Sequence, residues 1–417
     1  MSGTMDGIRV IELATWAFVP SAGAVLADWG ADVIKIEHPE RPDPMRGLNP
    51  GNLARTTIHA RVEGGDTDPS RVIMEQANRG KRSIGLNIAS PGGYELLLQL
   101  IATADVFLTN VLPSKRAKLR VTPDDLRAVN PNLVYVRGSG FGAHGPDANE
   151  AGYDGTAFVS RGSFAHQVTP AGSDWPVLAS GVAGIGDLPG SMMLVGGIAA
   201  ALLQRERTGV APIVDVSLLA TAMWQMAPGV IATGMFDMEE VPKPSRENAA
   251  NPLTIYYKLQ DHRFIKFSLH TSDLFYEDLC HRLGLPQLVD DPRFKSQALR
   301  RDNSVEFVKL LDETFAEFSV EEVRRRLAGF KGAWAVVQTP LELHHDPQVL
   351  ANGYLREVTS DRRPPFMVVG PPVQFDEQPA PNGRAAPDHG EHTDEVLLEL
   401  GLDWDTIIAH KTAADVL

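Results

Sequence analysis

The chain has little of what marks a disulfide-stapled, thiolate-metal or nucleic-acid-binding protein. Its 417 residues include one cysteine, Cys280, so neither an intrachain disulfide nor a cysteine-built metal site can form. Cys280 stands in the run DLFYEDLCHRLG, where a small apolar helix residue is expected. Positive charge is also scarce: 39 Lys and Arg face 53 Asp and Glu, a formal net charge of −14. That balance argues against a nucleic-acid binder, which needs a basic stripe. It leaves room for an anionic ligand, because a few local Lys or Arg side chains can hold a phosphate. Residues 1–9 are polar and hold no apolar stretch of signal-peptide length. The longest apolar run, 192–203, is interrupted by Gly196 and Gly197 and is too short to span a bilayer. It reads as a buried helix, and the protein as soluble and cytoplasmic. His344-His345 and the pair His389 and His392 lack carboxylates at zinc spacing, and no GxSxG elbow occurs. No metal is expected.

What is present is an alternation. Ile8-Arg9-Val10-Ile11-Glu12-Leu13 reads as a strand, 21–30 as a small-residue helix, and Asp32-Val33-Ile34-Lys35-Ile36-Glu37 as a second strand. Together they make a βαβ unit and hence a parallel sheet. Residues 39–77, rich in Pro, Gly, Arg and Asp, read as a surface excursion. The alternation resumes with strand 83–87, helix 92–104, strand 106–109, helix 123–129 and strand 133–138. This is doubly wound α/β in character. Residues 139–190 are Gly-rich and irregular, the kind of segment that builds active-site loops. A helix over 190–207 and a strand over 213–217 follow. We expect a Rossmann-like large domain over 1–220, a linker over 221–250, and a smaller α+β domain over 251–340 with strands 254–258 and 264–267. Residues 341–417 form a second linker and a return to the large domain; seven prolines within 361–390 suggest an extended crossing strand.

Three constellations carry candidate chemistry. Gly181-Val182-Ala183-Gly184-Ile185-Gly186-Asp187 is glycine-rich but follows no Rossmann fingerprint, since the first strand–helix junction, 14–22, has no such glycines. Asp187 is either the N-cap of the helix behind it or a catalytic carboxylate. Gly152-Tyr153-Asp154-Gly155 is either a loop bringing polar groups to a pocket or a turn in which Asp154 bonds its own backbone. Arg79, Lys81 and Arg82, and Lys115, Arg116, Lys118 and Arg120, are solvated surface or a cradle for phosphates.

Taken in order, these segments resemble the family III CoA-transferases, the CaiB/BaiF group that includes formyl-CoA and carnitine CoA-transferases. The matching pieces are Gly7-Ile8-Arg9-Val10-Ile11-Glu12-Leu13, Leu26-Ala27-Asp28-Trp29-Gly30-Ala31-Asp32, Asn78-Arg79-Gly80-Lys81-Arg82-Ser83, and Ala104-Asp105-Val106 with Asn110. Gly140-Phe141-Gly142, Gly152-Tyr153-Asp154, Gly186-Asp187, Arg207-Thr208-Gly209 and Gly390-Glu391-His392-Thr393-Asp394-Glu395 complete a collinear set over nearly the whole chain. The resemblance implies CoA transfer from an acyl-CoA donor to a carboxylic acid acceptor through aspartyl anhydride and aspartyl-CoA intermediates on Asp187. CoA enters only as part of the substrate thioester, with no permanently bound cofactor. Helix-start N–H groups are expected to steady the oxyanions. The resemblance implies that 1–220 binds CoA. His38, at a position where relatives often carry arginine, Leu86, Asn110, Lys118 and Arg137 match or adjoin CoA contacts. Tyr153, Asp154 and Gly186 match loop residues beside the reacting centre. Ala17 stands where some members carry glutamine, and 248–252 replaces a glycine-rich closing loop. The assembly implied is an interlocked homodimer. Two other functions remain open: an α-methylacyl-CoA racemase, whose second base would be a histidine where Tyr153 stands, and an inactive CoA-binding protein.

Overall fold

Two apolar sets alternate along each early strand, and this places helices on both faces of one sheet. Val10, Val33, Val106, Val134 and Val136 point into one core; Ile11, Ile34, Ile84, Phe107 and Tyr135 point into another. A strand buried on both sides is characteristic of a parallel sheet covered by crossover helices. The computed structural model describes residues 3–46, 70–177, 184–243, 245–360, 363–379 and 383–417. It contains a six-stranded sheet in the order β3-β2-β1-β4-β5-β6, every pairing parallel. The strands are β1 Arg9–Leu13, β2 Asp32–Glu37, β3 Arg82–Gly85, β4 Val106–Thr109, β5 Val134–Ser139 and β6 Ile213–Ser217. The winding direction reverses between β1 and β4, so the crevice beyond their carboxyl ends is where such sheets bind ligands.

Helices Phe18–Asp28 and Asp187–Thr208 lie together on the first face. The second begins three residues earlier than the sequence suggested and runs for 22 residues. By length and composition it could cross a membrane; here Leu194, Val195, Ile198 and Ala201 are buried in the core.

The chain divides into two compact units. The first comprises Met1–Val168, Pro176–Met238 and Pro347–Leu417, and the second Thr169–Trp175 and Glu239–Asp346. In the second, antiparallel strands β7 Tyr256–Lys258, β8 Phe264–Phe267 and β9 Trp334–Val336 pack on helices through an aromatic core of Tyr257, Phe267, Phe307 and Phe315. Cys280 is buried there, in helix Asp273–Leu283.

Three expectations need correction. Within 39–77, Asp43, Met45, Met74, Glu75 and Ala77 are buried, and Ser70–Asn78 is a helix, so its described parts are not a surface excursion. Residues 47–69 lie outside the described residues. The early part of the expected linker is helical, in Leu218–Gln225 and Ala227–Met235. The Pro-rich segment contributes a hairpin strand: β10 Leu355–Ser360 pairs antiparallel with β11 Arg363–Val369. Its prolines, Pro364 and Pro365, stand at the strand's start, where the missing N–H groups are tolerated.

Candidate active site

The Asp187 helix starts on a neighbour's carboxylate. Gly186 is its N-cap residue and Asp187 its first helical residue, with no side-chain cap of its own. The cap comes from Asp154, whose Oδ1 accepts from the Gly186 N–H at 2.8 Å; the N–H groups of Ile185 and Asp187 also bond that carboxyl. Asp154 opens a π-helix, Asp154–Arg161, a wide-turned form found mainly at functional positions. Glycine is required at 186: a Cβ there would lie 2.2 Å from the Phe158 ring and 2.6 Å from the Asp154 carboxyl. The cap reading of Asp187 and the turn reading of Asp154 both fall. Asp187 does not cap its helix, and Asp154 bonds a helix start 32 residues away rather than its own turn.

This arrangement leaves Asp187 bare. Its half-buried carboxyl has no hydrogen-bond partner among the described residues. Burial, then the charge of Asp154, push it up to about 7. Asp154 is also raised by burial, although the three N–H groups pull it back. The expectation that these N–H groups cradle an oxyanion is therefore corrected. Three of them face Asp154, and that of Leu188 donates to the Gly184 carbonyl at 3.0 Å.

Tyr153 precedes Asp154, is 53% exposed, and meets Trp16 edge to face with ring centroids 5.7 Å apart. Trp16 and Ala17 belong to the loop after β1. Sequence reasoning passed over Trp16; the only signal was a bulky aromatic at a strand–helix junction.

The other candidates are spread along the sheet. His38 follows β2; its Nδ1 accepts from the Glu40 N–H at 3.1 Å, and Arg41 Nη2 lies 3.0 Å from its Nε2. Burial and the Arg41 charge lower its pKa, and Arg41 supplies a cation beside it. Leu86, beyond β3, is buried and bridges to Val416. Asn110, beyond β4, spends its amide on Thr15, accepting from its N–H at 3.1 Å and donating to its carbonyl at 2.7 Å. Lys118 is exposed on helix Pro113–Leu119. Arg137, within β5, is held by Asp215 at 2.5 and 2.6 Å. The structure thus brings Asp187, Gly186, Asp154 and Tyr153 together, and Asn110 holds the loop whose Trp16 meets Tyr153.

The basic cluster at 79–82 is neither surface nor phosphate cradle. Arg79 pairs with Asp28 at 2.7 Å, Lys81 with Glu12 at 2.6 Å, and Arg82 with Asp32 at 2.7 Å. Among the described residues no group of three or more His, Cys, Asp or Glu could hold a metal ion.

The description "CoA-transferase family III" matches residues 5–393. The (R)-2-hydroxy-4-methylpentanoate CoA-transferase of Clostridioides difficile is 30% identical over 97% of each chain. The cinnamoyl-CoA:phenyllactate CoA-transferase of Clostridium sporogenes is 31% identical over 99% of this chain and 97% of its own. A CaiB/BaiF family crystal structure from Brucella suis superposes with a TM-score of 0.80 at 26% identity, over 96% of this chain and all of that one.

Proposed function

We propose how this chain, which belongs to CoA-transferase family III and is with it an acyl-CoA:carboxylate CoA-transferase, carries out the exchange: Asp187 is the nucleophile. One Asp187 oxygen attacks the thioester carbonyl of the donor, the C–S bond breaks, and CoA leaves as the thiolate. The result is a mixed anhydride between the acyl group and Asp187. The thiolate attacks the aspartyl carbonyl, releases the donor acid as its carboxylate, and leaves CoA as a thioester on Asp187. An acceptor carboxylate attacks that thioester, expelling the thiolate again and forming a second anhydride. The thiolate then attacks the new acyl carbonyl, which frees the product thioester and returns the Asp187 carboxylate. Atoms and electrons balance within donor, acceptor and enzyme, and one hard exchange becomes four substitutions.

The observation that carries this reading is the bareness of Asp187. A carboxylate without hydrogen-bond donors or a cation among the described residues keeps its electron pair available, and its raised pKa makes it more basic than an ordinary aspartate. Asp154 positions it by occupying the helix start. The test is mass spectrometry of protein quenched with an acyl-CoA: an acyl or CoA adduct is expected on the peptide holding Asp187. Asp187→Ala is expected to lose CoA exchange on the order of 10³-fold or more. Undiminished exchange in that variant would refute the mechanism.

A further inference from the structure

The loop joining β1 to helix Phe18–Asp28 is restrained beyond what a connection needs. Trp16 has φ +68°, in the left-handed region, where a bulky residue is strained. Side chains from β2, from the segment after it and from just beyond β4 hold the loop there. The Trp16 N–H donates to Asp43 Oδ1 at 3.1 Å. Lys35 Nζ donates to the Ala14 carbonyl at 2.7 Å, and Asn110 takes both backbone groups of Thr15. Lys35 and Asp43 are paired with each other at 2.9 Å, and neither side chain is exposed. Strain over-determined in this way clusters at functional positions.

The strain fixes the direction of the indole. It meets Tyr153 with ring planes at 87°, and neither ring is fully buried. Tyr153 adjoins Asp154, the residue on which the Asp187 helix starts. On the other side of the loop, Phe18 packs beneath Gly190, where a Cβ would come within 2.6 Å of its ring. The aromatic pair therefore stands beside the first turn of the Asp187 helix.

We propose that Trp16 is a specificity-determining residue: with Tyr153 it forms a wall against which an apolar, ring-bearing acyl group lies while its thioester carbonyl meets Asp187. This rests on Asp187 as the nucleophile. The wall offers two ring surfaces, for which another flat apolar group is the natural complement. The neighbourhood also disfavours a dicarboxylic acyl group. The charged groups at the helix start are Asp154 and Asp187, and no cation is in contact with either carboxyl among the described residues. A distal carboxylate would meet like charge there.

The test measures kcat/KM for exchange of an isotopically labelled acid into its own CoA thioester, with 3-phenylpropanoate, succinate and acetate as three separate pairs. Each self-exchange needs only one acyl group to fit. The wild type is expected to favour 3-phenylpropanoate. Trp16→Gly keeps the loop backbone, since glycine adopts φ +68° freely, yet removes the ring. It is expected to lower 3-phenylpropanoate exchange relative to acetate on the order of 10- to 100-fold, and Trp16→Phe to restore most of that ratio. An equal change for all three pairs, or a wild-type preference for succinate, overturns the proposal while the adduct on Asp187 persists. A wild type that forms no adduct on Asp187 fails at the earlier step, the nucleophile itself.

Discussion

At the carboxyl ends of β1 and β2, Glu12, Glu37 and Asp43 each touch a cation; at the start of the Asp187 helix, Asp154 and Asp187 touch none among the described residues. Glu12 is shared by Lys35 at 3.3 Å and Lys81 at 2.6 Å. Burial alone would raise Glu37, but the Arg46 guanidinium, with Lys35 behind it, overcomes this and holds the carboxyl at about 2. Burial would likewise lower the Lys35 ammonium, and Asp43 and Glu12 more than reverse it. Asp187 has burial and a like charge with nothing among the described residues to offset them, so it rises to about 7. One functional group thus serves two ends. Paired with cations, carboxylates fix the loop that carries Trp16; without a cation, the Asp187 carboxyl has a raised pKa, which suits the reactive role proposed for it.

The comparison breaks most visibly at Glu12. Glu12→Gln removes the shared partner of two lysine side chains that are fully buried, and uncompensated buried charge costs on the order of 3–5 kcal/mol. Urea unfolding should show a loss of that size, and a change under about 1 kcal/mol would mean that the cluster is not a paired unit.

At the bare end the effect is on chemistry. On the proposed mechanism only ionised Asp187 attacks, so kcat/KM should fall about tenfold per pH unit below about 7 and level off above it. Asp154→Asn keeps an acceptor for the Gly186 N–H but removes the neighbouring charge, so the midpoint of that profile should move to lower pH. A midpoint that stays in place would show that the Asp154 charge is not felt.

The smallest effect is on stability. The folded-state pKa of Asp187 is raised, so ionising it disfavours the fold. That penalty is absent below the unfolded value of about 4, grows up to about 7 and is constant above. Asp187→Asn should therefore be the more stable protein at pH 8, by roughly 1–2 kcal/mol, and indistinguishable at pH 4. Thermal melts at the two values measure it, and equal melting of both proteins at pH 8 would count against a strained carboxylate.

Much of this fold could be read from local pattern. Strands β2, β4 and β6 have the predicted limits, Asp32–Glu37, Val106–Thr109 and Ile213–Ser217, because runs of β-branched and aromatic residues between turn signals need no tertiary information. Helix Ser70–Asn78 was missed because its surroundings are dominated by Pro, Gly and charge. Asp187 was singled out by its place in an ordered set of motifs, not by local chemistry, which fitted a helix cap better. That Asp154 takes the cap instead depends on residues 32 positions apart meeting, and no periodicity encodes that. Trp16 was silent for a different reason: the residue types that announce a positive φ are Gly and Asn, and a tryptophan is forced there only by its neighbours. Arg79, Lys81 and Arg82 were misjudged because a basic run does not name the carboxylates it will meet.

The carboxyl end of β3 is finished by the last residues of this sequence. Leu417 donates its N–H to the Gly85 carbonyl at 3.1 Å and Asn87 donates to Asp415 at 2.7 Å, while Ser90 bonds the Asp415 carboxyl across 325 positions. On a ribosome, which delivers the chain from its N-terminus, β3 and the helix behind it emerge long before these partners exist. The sheet edge beside Leu86 therefore stays open until they are made, and its closure is not part of the early collapse.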